Sequence, residues 1–391
     1  MTRAGCARRQ LRYNAGMTST LSATAQPPLR QIPPEIRCAQ DYEVVVRRFM
    51  AAPTYEYVAG GSGRDVTVAA NLAAFARWAV YPRLLRDVSA GHTRLRLAGA
   101  ALAHPVLLAP VAFQNLAHAG GEVESARAAH ATDTCLVAST LSSCSLEDVA
   151  RACGPQRWFQ LYFQPRRDDT HALLRRAEAA GYGAIVVTLD ASIQVPSLRA
   201  LAAGFRMPAD CVAANLCGQA APDAVTGASR IFQGAMRDAP TWRDLEWLLS
   251  QTTLPVWIKG VLHPDDARAL QRLGVAGLVV SNHGGRGLDG APASLDALPA
   301  VRAAVGAGFP LLFDGGIRSG TDLFKALALG ADAVLVGRLQ MYALSVAGAL
   351  GVAHMIQLLR EELEVCMVLA GCATLDDIDS GALFTALENA C

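Results

Sequence analysis

The sequence predicts a single (β/α)8 barrel of the TIM type, with a helical extension ahead of it and a long loop after its fourth strand. Three observations carry this. From residue 105 onward, eight apolar runs of strand length follow one another, each closed by polar or glycine punctuation. Amphipathic stretches of helical length separate them. The runs are almost continuously apolar, as strands of a parallel sheet buried on both faces should be. An open, doubly wound sheet gives the same alternation; eight β-then-α units in series favour closure.

The elements fall in this order. Residues 1–38 are rich in Pro, Thr and Ser towards Pro34 and are expected to be disordered, with Met17 a possible initiator. The barrel domain is expected over 39–385. It opens with two helices, in "AQDYEVVVRRFM" and "PTYEYVAGG", the second ending at glycines. The strands are "VLLAP" (106–110), "CLVAS" (135–139), "WFQLY" (158–162), "AIVVTLD" (184–190), "VWIKG" (256–260), "GLVVSN" (277–282), "LLFDGG" (311–316) and "AVLVGR" (333–338). Helices such as "DTHALLRRAEAAGYG" and "HPDDARALQRLG" carry Asp, Glu or Thr near the start and Gly after the end. About 65 residues separate strands 4 and 5, far more than elsewhere, so a lid or insertion is expected over about 191–240.

Composition narrows the function. Lys plus Arg is 35 and Asp plus Glu is 34, which gives no support for nucleic-acid binding. No run of about 18 apolar residues free of charges and breakers is present, so no membrane span is expected. The ten cysteines form no C-x-x-C pair, and the spacings Cys211/Cys217 and Cys366/Cys372 fit no zinc pattern. Reduced thiols, no metal and a cytoplasmic location follow as expectations.

In such a barrel the strand C-termini build the active site. Every strand here ends in something unusual: Pro110 and Ala112, Ser139, Gln160 and Tyr162, Thr188 and Asp190, Lys259, Ser281 with His283 and Arg286, Asp314 with Gly316 and Arg318, Gly337 with Arg338. Singly, each has a plainer reading: a histidine in a turn, a helix-capping aspartate, core tyrosines. A buried lysine such as Lys259 needs an anionic partner. The pair "DGGIRSG" and "VGR" is more specific. Its glycines let backbone N–H groups approach a phosphate, and Arg318 and Arg338 supply charge, so a phosphate-bearing cofactor is expected.

With these motifs in view, "SNHGGRGLDG", "LPVWIKGV", "LLFDGGIRSGTDLFKALALGADAVLVGR" and "LLREELEVCMVLAGCATLDDI" resemble the FMN-dependent L-2-hydroxy acid oxidases and dehydrogenases, over residues 40–380. The resemblance implies FMN as cofactor and oxidation of a small 2-hydroxy acid to the 2-oxo acid, with oxygen or another carrier taking the electrons. It makes His283 the base, Asp190 its orienting carboxylate and Arg286 the grip on the substrate carboxylate. Tyr57 and Tyr162 become substrate tyrosines, and Lys259 the partner of the flavin. Pro110, Val111 and Ala112 would lie under the flavin ring, with Ser139, Gln160, Thr188 and Ser281 around it. Asp314, Gly316, Arg318, Gly337 and Arg338 would hold the ribityl phosphate. A homo-oligomer, tetramer or octamer, is implied as well.

Two positions depart from that pattern. Ser197 stands where the resemblance leads one to expect a second substrate arginine, with Arg199 two positions on, and Gly287 stands where a Gln is usual. A weaker carboxylate clamp would admit an acid group that is larger, esterified or carrier-bound. Alternative readings are a non-redox FMN- or phosphate-binding barrel, such as a flavin-dependent isomerase, and a relative that binds flavin without turnover.

Overall fold

The computed structural model describes residues 25–97, 99–216 and 229–385. Eight parallel strands close into a barrel: β1 (Val106–Leu108), β2 (Cys135–Ser139), β3 (Arg157–Leu161), β4 (Ile185–Thr188), β5 (Val256–Val261), β6 (Gly277–Val280), β7 (Leu311–Asp314) and β8 (Ala333–Val336). Each pairs with the next, and β8 closes on β1 in the register Val334 with Val106 and Leu335 with Leu107. The outer helices are α1 (Gly121–Ala131), α2 (Leu146–Ala152), α3 (Arg167–Ala179), α4 (Trp242–Ser250), α5 (Pro264–Leu273), α6 (Ser294–Val305), α7 (Gly320–Ala328) and α8 (Arg338–Ala370). Several start on side-chain caps; Ser319 and Asp322 form a reciprocal pair at α7.

The apolar runs are continuous because alternate residues enter two different cores. Leu107, Val137, Trp158, Val186, Trp257, Val279, Leu312 and Leu335 fill the barrel, whereas Leu108, Phe159, Val187 and Phe313 pack under the helices. Trp158 and Trp257 stack inside the barrel with centroids 5.0 Å apart. A hairpin of Leu95–Leu97 and Ala100–Leu102 adds Leu97 and Leu102 to the same interior cluster.

The alternation also decides what the C-terminal mouth presents. Two residues beyond the interior layer lie Ala109, Ser139, Gln160, Thr188, Lys259, Ser281, Asp314 and Gly337, one from each strand. The strands predicted to reach 110, 162, 190 and 338 pair only to 108, 161, 188 and 336. Their last residues have left the ladder; Pro110, Tyr162 and Arg338 line the mouth, and Asp190 meets His283 there.

The N-terminal segment is more structured than its composition suggests. Residues 1–24 lie outside the described residues, but from Ala25 the chain is tied to the body. Gln26 N donates to Arg48 O and Leu29 N to Val346 O, each at 2.8 Å, and Ile36 is buried. Besides the two expected helices, Asp41–Val45 and Ala52–Ala59, a third runs over Val66–Ala76. In the long loop, Leu198–Ala202 is a short helix and Arg230–Ala235 a wide π turn; residues 217–228 lie outside the described residues.

By length and composition α8 could cross a membrane, yet two-thirds of its most apolar window, 67%, is buried in the fold. It breaks at Ala347 and Gly348, where the backbone leaves helical angles, and packs on α1 and α7 as a core helix. Among the described residues no cluster of three or more His, Cys, Asp or Glu is placed to hold a metal.

Candidate active site

The mouth of the barrel holds a cleft of about 1120 Å³, part of it open to solvent. Fourteen of the eighteen residues singled out above line it: Tyr57, Pro110, Val111, Ala112, Ser139, Tyr162, Lys259, His283, Arg286, Asp314, Gly316, Arg318, Gly337 and Arg338. The other four are joined to lining residues: Gln160 bonds Ser139, Thr188 pairs with Lys259 in the ladder, Asp190 bonds His283, and Ser281 bonds Lys259 and Asp314.

The loop after β6 owes its shape to three consecutive left-handed residues, His283, Gly284 and Gly285, at φ 59°, 60° and 79°. Histidine tolerates that region poorly compared with glycine, so the surroundings must hold it there. They do so through Asn282, whose Oδ1 accepts the Gly285 N–H at 3.1 Å and whose amide exchanges two 2.8 Å bonds with Asn71 of the third N-terminal helix. Ser62 fixes the outer side, with its N–H donating to Gly285 O and its Oγ to Arg286 O. The backbone N–H of His283 donates to Ser281 Oγ at 3.0 Å.

This conformation puts His283 Nδ1 2.7 Å from Asp190 Oδ1, both largely buried. Burial pushes the Asp190 carboxyl up, but the charges of His283 and then Lys259 outweigh it and hold the group at about 2. Asp190 therefore stays an anion, accepts the Nδ1–H and leaves Nε2 as the working nitrogen. Room for its side chain depends on Gly260, since a Cβ there would lie 2.5 Å from Asp190 Cβ. Gly287 sits against the same residue: a Cβ would meet Asp190 O at 3.1 Å, so a glutamine there would press on the dyad's backbone.

Lys259 finds its counter-ion in Asp314, at 2.9 Å, and donates to Ser281 Oγ at 2.7 Å, while Ser281 donates to Asp314 Oδ1 at 2.6 Å. Burial disfavours the ammonium, yet Asp314 and Asp190 raise its pKa above the ordinary lysine value. Asp314, expected among the ribityl contacts, is thus first of all the partner of Lys259. Burial raises the Tyr162 phenol to about 12, so it remains a hydroxyl donor beside Lys259, Asp190 and Arg286.

Arg286 and Arg338 converge on the C-terminal carbonyls of helix Ala52–Ala59. Arg286 Nη1 donates to Tyr57 O at 2.9 Å and Gly60 O at 3.0 Å, and Arg338 Nη2 donates to Gly60 O at 2.9 Å. Helix C-termini carry negative partial charge, so this end suits two cations. The Arg286 guanidinium lies 4.7 Å over the Tyr57 ring, which itself stacks on Phe205 at 4.2 Å. Arg199 does not replace a guanidinium at position 197. It is paired with Glu56, and its Nη1 lies 3.6 Å from Asp65 Oδ2, while Ser197 caps the short helix behind it. From that loop it is Gln194 that reaches the cleft.

FMN fits the donors on hand. Gln160 Nε2 and Thr188 Oγ1 are buried polar atoms with no partner among the described residues, a costly state unless a polar ring edge meets them. Burial, followed by the like charges of Arg286 and Arg318, lowers Arg338 to about 10, a cation short of an anion. Gln160, Thr188 and Ser139 would hold the ring and Arg318, Arg338 and Gly316 the phosphate.

Sequence reasoning missed Gln194, the Asn71–Asn282 clamp and the placement of Arg199. Asn282 stood in the quoted motif and an asparagine before a His-Gly-Gly turn was a usable signal. Asn71 and Glu56 had none, because their partners lie 211 and 143 residues away.

A closed parallel barrel with two arginines at the exits of β7 and β8 and a histidine–aspartate dyad suits a flavin-type oxidoreductase, and the comparisons show that class. A model of the FMN-dependent dehydrogenase family matches residues 46–385. An L-lactate oxidase of Alicycliphilus denitrificans is 69% identical over 359 residues, covering 91% of this chain and 98% of the relative. A 4-hydroxymandelate oxidase of Amycolatopsis orientalis is 44% identical, covering 86% and 94%. The crystal structure of a mandelate oxidase with benzoyl-formic acid superposes with TM-score 0.81 at 41% identity, covering 89% of this chain and 98% of that one. The chain belongs to the FMN-dependent dehydrogenase family. Its cofactor is FMN, and it is an oxidoreductase of the kind that converts 2-hydroxy acids to 2-oxo acids.

Proposed function

We propose that the protein oxidises a short L-2-hydroxy acid, L-lactate first among them, to the 2-oxo acid with oxygen as electron acceptor. The observation that carries the chemistry is the His283–Asp190 pair at 2.7 Å, facing the same cleft as Arg286. Support for lactate and oxygen comes from the L-lactate oxidase at 69% identity.

Arg286 takes the substrate carboxylate, for which a guanidinium fork is suited. Tyr57 and Tyr162 flank it and bring hydroxyl donors to the carboxylate and the reacting oxygen. His283 Nε2 accepts a proton from the C–OH unit, and Asp190 stabilises the imidazolium that results. FMN, when bound, supplies the two-electron acceptor. Lys259 offers positive charge where negative charge gathers during turnover. Pro110, Val111 and Ala112 form the wall against which the ring would lie, with Ser281 anchoring Lys259 behind it.

The test is an anaerobic mix of purified protein with 2-hydroxy acids of graded size, followed by admission of air. Lactate should bleach the bound flavin fastest, and air should restore its colour with one peroxide released per turnover. Colour that never bleaches with any acid would refute the function; bleaching without peroxide would refute oxygen as acceptor.

We place the protein in the cytoplasm, since all seven described cysteines are free thiols. We also read it as a tetramer or octamer, supported by exposed Val365, Val368 and Leu369 on α8 beside exposed Leu84 and Leu85. Light scattering of the purified protein tests the assembly.

A further inference from the structure

Arg318, at the phosphate end of the cleft, already has a carboxylate on it. Its Nε donates to Glu43 Oε2 at 2.7 Å, and its Nη1 to Ile317 O at 3.0 Å. The Arg318 side chain is 10% exposed and Glu43 29%. Glu43 belongs to the short helix Asp41–Val45, which is docked on α8 through Tyr42, whose hydroxyl is 3.0 Å from His354 Nδ1. Arg318 lines the cleft and Glu43 does not, so the carboxylate meets the arginine from outside that lining. Among the described residues the other cation at this end, Arg338, is met by carbonyls, Val58 O at 3.2 Å and Gly60 O at 2.9 Å, and by no carboxylate within ion-pair distance. The buried hydroxyl of Tyr342, which lies near Arg338, Arg318 and Glu43, has no hydrogen-bond partner among the described residues. Two cations, one unpartnered hydroxyl and one carboxylate therefore share this corner.

A site built only for tight retention of a phosphate dianion has no use for a carboxylate behind its arginine. A fixed anion there repels the dianion and neutralises one of its two cations. It also makes the empty site tolerable, because Arg318 is too buried to stay unpaired without cost. From this we infer that Glu43 is an internal counter-ion that weakens cofactor retention, so that Arg318 is divided between Glu43 and the phosphate and FMN can exchange. The inference rests on the reading of the strand 7 and strand 8 exits as the phosphate site.

The experiment is titration of apoprotein with FMN, followed by quenching of flavin fluorescence, for the parent and for Glu43→Gln. Glutamine keeps an acceptor for Arg318 and removes the charge. Removing a like charge from the arginine that the phosphate would share, discounted for the partial exposure of Glu43, changes affinity by roughly tenfold. Glu43→Gln should therefore lower the FMN Kd on the order of tenfold and slow FMN release correspondingly, and inorganic phosphate should compete better. Riboflavin, which lacks the phosphate, should bind both proteins equally. Unchanged or weaker FMN binding by Glu43→Gln overturns the inference, as does a riboflavin shift of the same size. A parent that fails to prefer FMN over riboflavin overturns the phosphate-site reading together with it. Should Glu43→Gln not fold, Glu43→Asp, whose shorter side chain withdraws the charge, should tighten FMN by about threefold. Weaker or equal binding there counts against the inference.

Discussion

Asp190→Asn isolates one charge and leaves the shape of the site in place. Asparagine Oδ1 can accept the His283 Nδ1–H as the carboxylate does, so the ring keeps its orientation. What disappears is the anion 2.7 Å from a ring that must carry a proton during turnover. At an effective dielectric near 20, a unit pair about 4 Å apart is worth about 4 kcal/mol. With side chains 12% and 20% exposed, the pair is partly screened, and about 2–3 kcal/mol is the working figure. If the imidazolium is largely formed in the transition state, each 1.4 kcal/mol costs about a factor of ten. Substrate-dependent bleaching of the flavin should therefore slow on the order of a hundredfold, measured by anaerobic stopped flow at saturating lactate. Half-saturation should barely move, because Arg286 and the tyrosines are untouched. A rate within twofold of the parent would refute Asp190 as the stabiliser of a protonated His283. A large rise in half-saturation at constant rate would instead make it a substrate-binding group.

Lys259→Met leaves Asp314 buried and unpaired, which should cost about 3 kcal/mol of stability, whereas Lys259→Met with Asp314→Asn should regain part of it; thermal melts of apoprotein compare them. Arg318→Ala should weaken FMN retention far more than it slows turnover in saturating FMN, measured by flavin release on dilution. Ser197→Arg would place a guanidinium near Gly60 and the cleft mouth, so it should lower the half-saturation for lactate and widen its lead over bulkier acids; an unchanged profile across an acid panel would count against the weak-clamp reading. The Asp190 carboxyl falls from 3.8 to about 2 on folding, which contributes about 2 kcal/mol of stability. Because a depressed carboxyl stabilises above its unfolded pKa, that contribution is complete above about pH 5 and is lost as pH falls through 2. Acid melts of Asp190→Asn should show a weaker dependence over that window than the parent.

The barrel and its mouth were legible because one alternation serves both. A strand buried on two faces reads as an apolar run, and the first polar residue of interior parity marks where the run leaves the core. Gln160, Thr188, Lys259, Ser281 and Asp314 all obey that rule, and their place at the ends of apolar runs is what the sequence shows. What spacing does not carry is pairing between polar groups on different elements. Lys259 demanded an anion, but Asp190 follows the adjacent β4 and Asp314 ends β7, two strands away, and only the closure of β5 onto β6 and β6 onto β7 sets Asp314 at 2.9 Å. The N-terminal segment is the extreme case. Glu43, Glu56, Tyr57, Gly60, Ser62 and Asn71 have no periodic signature that points to the cleft, yet they supply the carbonyls, carboxylates and amide that orient Arg286, Arg318, Arg338, Arg199 and the His283 loop. The strands deliver the reacting groups, and the segment ahead of the barrel fixes the guanidiniums. Differences in cofactor retention and acid preference within this architecture should therefore arise more readily in residues 40–75 and in the loop after β4 than in the barrel itself.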